Sequence, residues 1–162
     1  MYVVSIQERC SRVKEDNYIW KRGRMYLKYL KMFLIAYPVT IFIDLFWIRS
    51  VMRDFYHENF VKFIERFQLQ GFEVKLAPAL LAWMLMVFGA IIFVVPLVRA
   101  KPLSLVFAHG AFFGLIVYGI YDLTNLATIT SWPAKFAMID IGWGMILCGI
   151  LACLLSYLDR VL

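Results

Sequence analysis

The chain has 162 residues and a mass of 19.0 kDa, with 63% of positions hydrophobic, 17% aromatic, 17% charged and a mean hydropathy of +0.75. A soluble domain averages roughly 45–50% apolar and about 25% charged, and one this small needs many more polar side chains at its surface, so the composition excludes a water-soluble globule and specifies a membrane protein. Net charge is +6, but eight of the 17 Lys and Arg fall within the first 31 positions, so the basicity belongs to one end and nucleic acid is not the expected partner.

Residues 1–24 are mixed and charged, with Arg9, Arg12, Lys14, Lys21, Arg22 and Arg24 set among Glu8, Glu15 and Asp16. They contain no apolar stretch followed by a small-residue cleavage site, so they are read as a basic N-terminal extension and not as a secretory signal. The remainder, 25–162, reads as one transmembrane domain. Four stretches reach the roughly 20 apolar residues that cross a bilayer: Leu27 to Ile48, Leu76 to Val98, Leu103 to Leu126, and Ala134 to Leu158. Pro78, Pro102 and Pro133 stand at or just before the opening turn of a span, where a missing N–H has no internal acceptor to lose. Pro38 lies mid-span and is expected to free the carbonyl of Leu34 and kink the first helix. The expected fold is therefore all-α, an integral membrane bundle of four transmembrane helices.

Placing both termini on the inner side puts eleven basic residues inside against six outside, so the positive-inside rule gives N-in, C-in. The outer loop between the first two spans carries Tyr56, Phe60, Phe63, Ile64 and Phe67 at helical spacing, with Glu58, Lys62, Glu65 and Arg66 opposite. Two arrangements satisfy that pattern: an amphipathic helix in the membrane interface, or a cap over the outer mouth of the bundle. His57 and His109 read as interfacial residues. Cys10, Cys148 and Cys153 are unpatterned and form neither a disulfide framework nor a zinc cage, and no metal or cofactor is expected.

Three carboxylates lie within the spans, at Asp44, Asp122 and Asp140. An ionisable group in hydrocarbon costs at least ~2.5–3.5 kcal/mol on insertion scales, so each is a candidate functional residue facing the bundle interior. Asp44 and Asp122 each lie ~6 Å before the outer end of their span and Asp140 ~9 Å after its outer start, which places all three in one leaflet. Ile43-Asp44-Leu45-Phe46-Trp47 and Ile139-Asp140-Ile141-Gly142-Trp143 repeat the pattern Ile-Asp-x-x-Trp, setting Trp47 and Trp143 one turn from a carboxylate on the same face. On the third span, Ala111, Gly114, Tyr118, Asp122 and Asn125 share one face, small below and polar above. Gly144, Cys148 and Ala152 continue below Asp140 as a second small-residue ladder. The implied picture is a tight lower bundle opening into an outer pocket lined by Asp44, Trp47, Tyr118, Tyr121, Asp122, Asn125, Asp140 and Trp143, with Asp122 as its central group. The competing reading of the same residues is structural: carboxylates that clamp helices through indole, hydroxyl and amide donors.

The run Tyr121-Asp122-Leu123-Thr124-Asn125-Leu126-Ala127-Thr128 followed by Trp132-Pro133 resembles a family of small four-span membrane proteins known as domain of unknown function 2177. Lys28-Tyr29-Leu30, Asp44-x-x-Trp47 and Asp140-x-x-Trp143-Gly144 share in the resemblance, which extends over about residues 25 to 158. It implies the four-span architecture and the grouping of these residues but no reaction, and the first 24 residues depart from the usual family start at a position resembling Met25.

Two functions fit these residues. One is a membrane protein that binds or translocates a proton, a cation or a small polar ligand in the outer pocket, as a homodimer if alternating access is required. The other is a non-catalytic accessory subunit of a larger membrane complex, docking through its basic extension and its amphipathic outer loop. Catalysis fits less well, because no nucleophile and base are arranged together. Asp140 follows Ala137-Met138-Ile139 instead of the Gly-x-Gly that precedes the second Asp of intramembrane aspartyl proteases. The bilayer is the partner in every reading, and a bacterial or mitochondrial inner membrane is the expected location. Orientation is testable directly: cysteines introduced at Gln70 and Ala100 should show opposite accessibility to an impermeant maleimide added from outside, and equal labelling would overturn N-in, C-in.

Overall fold

The computed structural model describes the backbone of residues 2–55, 75–130 and 132–162, with side chains from Arg22 onward. The amphipathic segment from Tyr56 to Phe67, with His57, lies outside the described residues. Among those described, the structure is helical and has no strand. Helix α1 (Tyr2–Phe46) passes into a π-helical turn, Trp47–Val51. Helix α2 (Leu76–Gly89) is joined to α3 (Val95–Val98) by a second π-helical turn, Ala90–Val94, and α4 (Leu103–Thr128) and α5 (Ala134–Val161) complete the chain. Among the described residues, four helices are long and apolar enough to cross a membrane, over Arg22–Val51, Leu76–Val98, Leu103–Thr128 and Ala134–Val161. The protein is a four-span all-α membrane protein.

The helix starts follow the prolines. Pro102 and Pro133 sit immediately before α4 and α5, and Pro78 lies in the first turn of α2. Pro38 is different: α1 runs through it without interruption, and its ring lies on the exposed side. Pro96 has a visible effect on the second span. It lacks an N–H, and its ring crowds the carbonyl of Ile92 one turn earlier. The wider π-helical turn at Ala90–Val94 ends just before it and provides the extra room.

Each span buries a single stripe. On the first, Met32, Ala36, Thr40 and Asp44 recur every four residues and are buried, while Leu34, Phe42 and Phe46 on the other side are more than half exposed, as lipid-facing side chains must be. Thr40 donates its hydroxyl back to the Ala36 carbonyl at 2.8 Å, so this polar residue meets its own helix and not hydrocarbon. The fourth span is the hub, burying Trp143, Leu147, Cys148, Leu151, Ala152, Leu155 and Leu158 against all three others.

The third and fourth spans meet through their two small-residue ladders. A side chain added at Gly110 would strike the Cys148 carbonyl and Ala152, and one at Gly114 would strike the Gly144 backbone. Reciprocally, Tyr118 lies across Gly144 and Phe107 across Gly149. Lipid is as apolar as a leucine side chain, so helices in a bilayer gain by close van der Waals contact and not by escape from solvent. Glycine permits that approach.

Two sets of polar contacts fix the spans in register. At one end, here termed the basic end, Asp159 pairs with Lys28 at 3.1 Å and with Arg99 at 3.4 Å. Lys28 also donates to the Asp159 carbonyl, and Arg99 to the Tyr29 hydroxyl at 3.0 Å. At the other, aromatic end, Asp44 accepts from Trp83 and Trp143. Sixteen residues separate Lys28 from Asp44, Trp83 from Arg99 and Trp143 from Asp159, a common rise of ~24 Å. Alternating antiparallel spans with matched spacing therefore connect at both levels.

Gly114→Val should force the third and fourth spans apart and lower the thermal unfolding temperature of the purified protein in detergent by several degrees. Gly119→Ala, where an added methyl meets nothing within 4 Å, should leave that temperature unchanged or raise it slightly, since glycine in a helix costs about 0.5–1 kcal/mol relative to alanine. Equal losses from both would show that close helix approach is not what the glycines provide.

Candidate functional site

The aromatic end gathers the polar residues of all four spans. Asp44 is 6% exposed, and its two carboxylate oxygens are divided between two helices. Oδ2 accepts from the indole Nε1 of Trp83 at 2.7 Å, and Oδ1 accepts from that of Trp143 at 2.6 Å. These are short bonds to an ionisable acceptor, the class that contributes most among protein hydrogen bonds. Trp143 is also stacked on Trp47, with ring centroids 4.2 Å apart and planes within 2°. The two Ile-Asp-x-x-Trp segments therefore do meet, but unequally. Asp44 bonds the tryptophan of the opposite segment, whereas the Trp47 indole N–H, also buried, has no hydrogen-bond acceptor.

Asp122 is completely buried on the face of the third span that packs against the fourth. Neither of its oxygens has a hydrogen bond of full geometry, although the Trp132 indole and the Asp140 carboxyl lie close enough to interact with it. Above it, Tyr121, Trp132 and Phe136 form an edge-to-face series with centroids 6.2 and 5.6 Å apart. Phe136 stacks in turn on Phe55 at 6.4 Å, and Lys135 lies over the Phe55 ring. Asn125 lies one turn above Tyr121, near its hydroxyl, and its amide nitrogen is buried without a hydrogen-bond partner. An aromatic layer thus covers the Asp122–Asp140 pair at the end of the bundle.

Between these two groups is a cavity of about 390 Å³. The upper halves of the second and third spans stand apart there, while α4 packs mainly on α5. Its polar lining is Asp44, Asp140, Tyr118, Tyr121 and the Trp83 indole, and Ala79, Ala82, Met86 and Val117 supply apolar walls. Of the eight residues expected to line one pocket, Asp44, Tyr118, Tyr121 and Asp140 border this cavity. Trp143 and Trp47 stand behind Asp44, and Asp122 and Asn125 stand behind Asp140 and Tyr121. Asp122 is thus a buried neighbour of the cavity and not its central wall.

Trp83 was not among the residues expected here. Its signal is depth: the indole begins seven residues inside the second span, ~10 Å from Leu76, well below where an interfacial anchor sits. No group of three or more metal-ligating side chains occurs among the described residues. His109, at the basic end, donates Nδ1–H to the Leu105 carbonyl at 2.7 Å, which leaves Nε2 to accept from Lys101 at 3.2 Å.

With two donors on two oxygens, Asp44 sets up a specific test. Asparagine has one acceptor oxygen, so Asp44→Asn can satisfy one indole and should destabilise the protein by about 1–3 kcal/mol through the other. In a Trp83→Phe background the same change should be nearly silent, because the remaining oxygen serves Trp143 alone. Unfolding of the four variants in detergent measures the coupling, and strictly additive effects would show that the two indoles do not share the carboxylate.

Residues 29–157 match the model of a family described as "Predicted membrane protein (DUF2177)". No curated protein and no solved structure matches the chain. The family match reaches into all four spans and includes the Asp44 junction and both carboxylates at the far end of the cavity, and the protein belongs to the DUF2177 family of predicted membrane proteins.

Proposed function

We propose that the protein binds a cation, or a small polar ligand carrying positive charge, in the cavity at its aromatic end. The observation that carries this reading is the meeting of Asp140, Asp44 and the Tyr118 and Tyr121 side chains around one cavity within helices long and apolar enough to cross a membrane. Intramembrane carboxylates are expensive to insert and are concentrated along ligand, ion and proton pathways. The volume is that of a small-molecule site, and a mostly apolar lining with a few convergent polar groups is the usual make-up of one. Asp140 is the carboxylate assigned to the ligand, since it lines the cavity and is only half-buried, whereas Asp44 is buried. Asp122, behind Asp140, is the group with which a proton could be shared, which extends the proposal from binding to translocation. An N-in, C-in orientation in a bacterial or mitochondrial inner membrane would present this end to the outer side, and alternating access would require a homodimer.

A second reading, an accessory subunit of a larger complex, draws on the length of α1. The helix has 45 residues, ~68 Å at 1.5 Å per residue and about twice what a bilayer core requires. Residues 22–27 lie exposed, ahead of Lys28, which pairs with Asp159 of the fourth span. The basic extension, 1–24, would then serve as a docking arm.

One preparation addresses both readings. Protein purified in mild detergent and titrated with tetramethylammonium should show a saturable change in tryptophan fluorescence, because Trp83 borders the cavity. Asp140→Asn should weaken the fitted affinity at least tenfold. No saturable change, or the same affinity in the variant, would overturn the binding proposal. A second protein in constant ratio by mass spectrometry, lost when residues 2–24 are deleted, would favour the accessory role.

A further inference from the structure

We infer that the cavity opens sideways, between the second and third spans, and takes an amphipathic ammonium compound from the bilayer, with its charged head at Asp140 and its alkyl chain leaving between Ala82 and Tyr121. This rests on the cation-binding reading and adds the route of entry and the chemical class. Two of the lining residues, Ala82 and Tyr121, belong to the exposed surface of the bundle, Tyr121 at 57%. Ala82 lies six residues inside the start of its span and Tyr121 seven before the end of its own, each ~9–10 Å from the helix terminus. Side chains flanking them, Leu81, Leu85 and Ile120, are 54%, 65% and 65% exposed, which marks this surface as lipid-facing. The mouth therefore meets hydrocarbon and not water. At the closed end of the bundle the two spans come back together, with Phe113 of the third against Gly89 of the second, so the gap is a wedge that widens toward the aromatic end.

A lateral mouth selects by partition. A compound reaching it through lipid must carry an apolar chain, and Ala79 and Ala82 of the second span with Val117 of the third give such a chain apolar walls. Inside, the same compound meets Asp140, the Trp83 indole and the Tyr118 and Tyr121 rings. Carboxylate and aromatic faces together recognise alkylated ammonium by charge and by cation–π attraction, and the negative charge of the carboxylates disfavours a phosphate or carboxylate head.

The test compares dodecyltrimethylammonium with tetramethylammonium on the full-length protein in zwitterionic nanodiscs, followed by tryptophan fluorescence. The long-chain compound should bind at least tenfold more tightly, and Asp140→Asn should reduce its binding tenfold or more. Ala82→Trp, which fills the mouth from the lipid side, should weaken binding of the long-chain compound at least tenfold and so remove the chain-length preference. An Ala79→Leu variant, checked for unchanged unfolding temperature, gives the same reading if Ala82→Trp does not fold. Equal affinities for the two compounds, with no effect of the mouth variants, would overturn lateral entry and leave a water-facing cation site. Binding of the long-chain compound that ignores Asp140→Asn would identify simple partitioning and overturn the assigned head position. Failure of both compounds to bind would remove the cation site itself.

Discussion

Three of the four spans are held together at one carboxylate. Asp44 belongs to the first helix, and its two oxygens are taken by indoles from the second and fourth. In hydrocarbon that arrangement is stringent: an unsatisfied charge there costs several kcal/mol, while apolar contact between helices competes with equally good contact with lipid. Each helix must therefore adopt the rotation and height at which both N–H groups reach Asp44. The stack of Trp47 on Trp143 and the burial of Met32, Ala36 and Thr40 follow from the same rotation of the first span.

The third span is attached by different physics. It meets the fourth backbone to backbone at Gly110 and Gly114, with Tyr118 and Phe107 filling the space over Gly144 and Gly149. Neither of the indoles that Asp44 accepts comes from it. Its upper half is consequently held on one side only, and the cavity lies on the side left open. A shared packing principle for all four helices would have closed that space; the change from a polar junction to a small-residue seam leaves it.

Much of the architecture was legible because hydrophobicity and proline act locally. The spans begin within a few residues of the positions read from Leu76, Leu103 and Ala134, and the two ladders recognised on separate helices pair with each other. The repeated Ile-Asp-x-x-Trp pattern set each tryptophan beside the carboxylate of its own helix, whereas Asp44 bonds the tryptophan of the other segment. Asp122 was harder to place, since helical periodicity puts it on a face with Gly114 and Tyr118 but does not say what that face meets. Glycines draw the face against the fourth span, so Asp122 is buried at the seam while Val117, Tyr118 and Tyr121 border the cavity. Trp83 was missed for a related reason: a single indole in an apolar run has no partner in its own sequence, and its acceptor is 39 residues away. Pro96 and the π-helical turn before it likewise depend on how a wide turn repacks, which no periodic pattern encodes.

The equal spacing of the two connected levels has a mechanical consequence. Because Lys28, Arg99 and Asp159 meet at one level and Asp44, Trp83 and Trp143 at the other, the first, second and fourth spans are braced like a triangular frame ~24 Å tall. Single helices adjust to a thicker or thinner bilayer by tilting independently. A braced trio cannot tilt one member without breaking a joint, so the lipid must deform around it instead. The less restrained third span is then the part able to follow changes in bilayer thickness, and its tilt would alter the width of the gap beside it. Membrane thickness becomes a physical variable to which this bundle can respond.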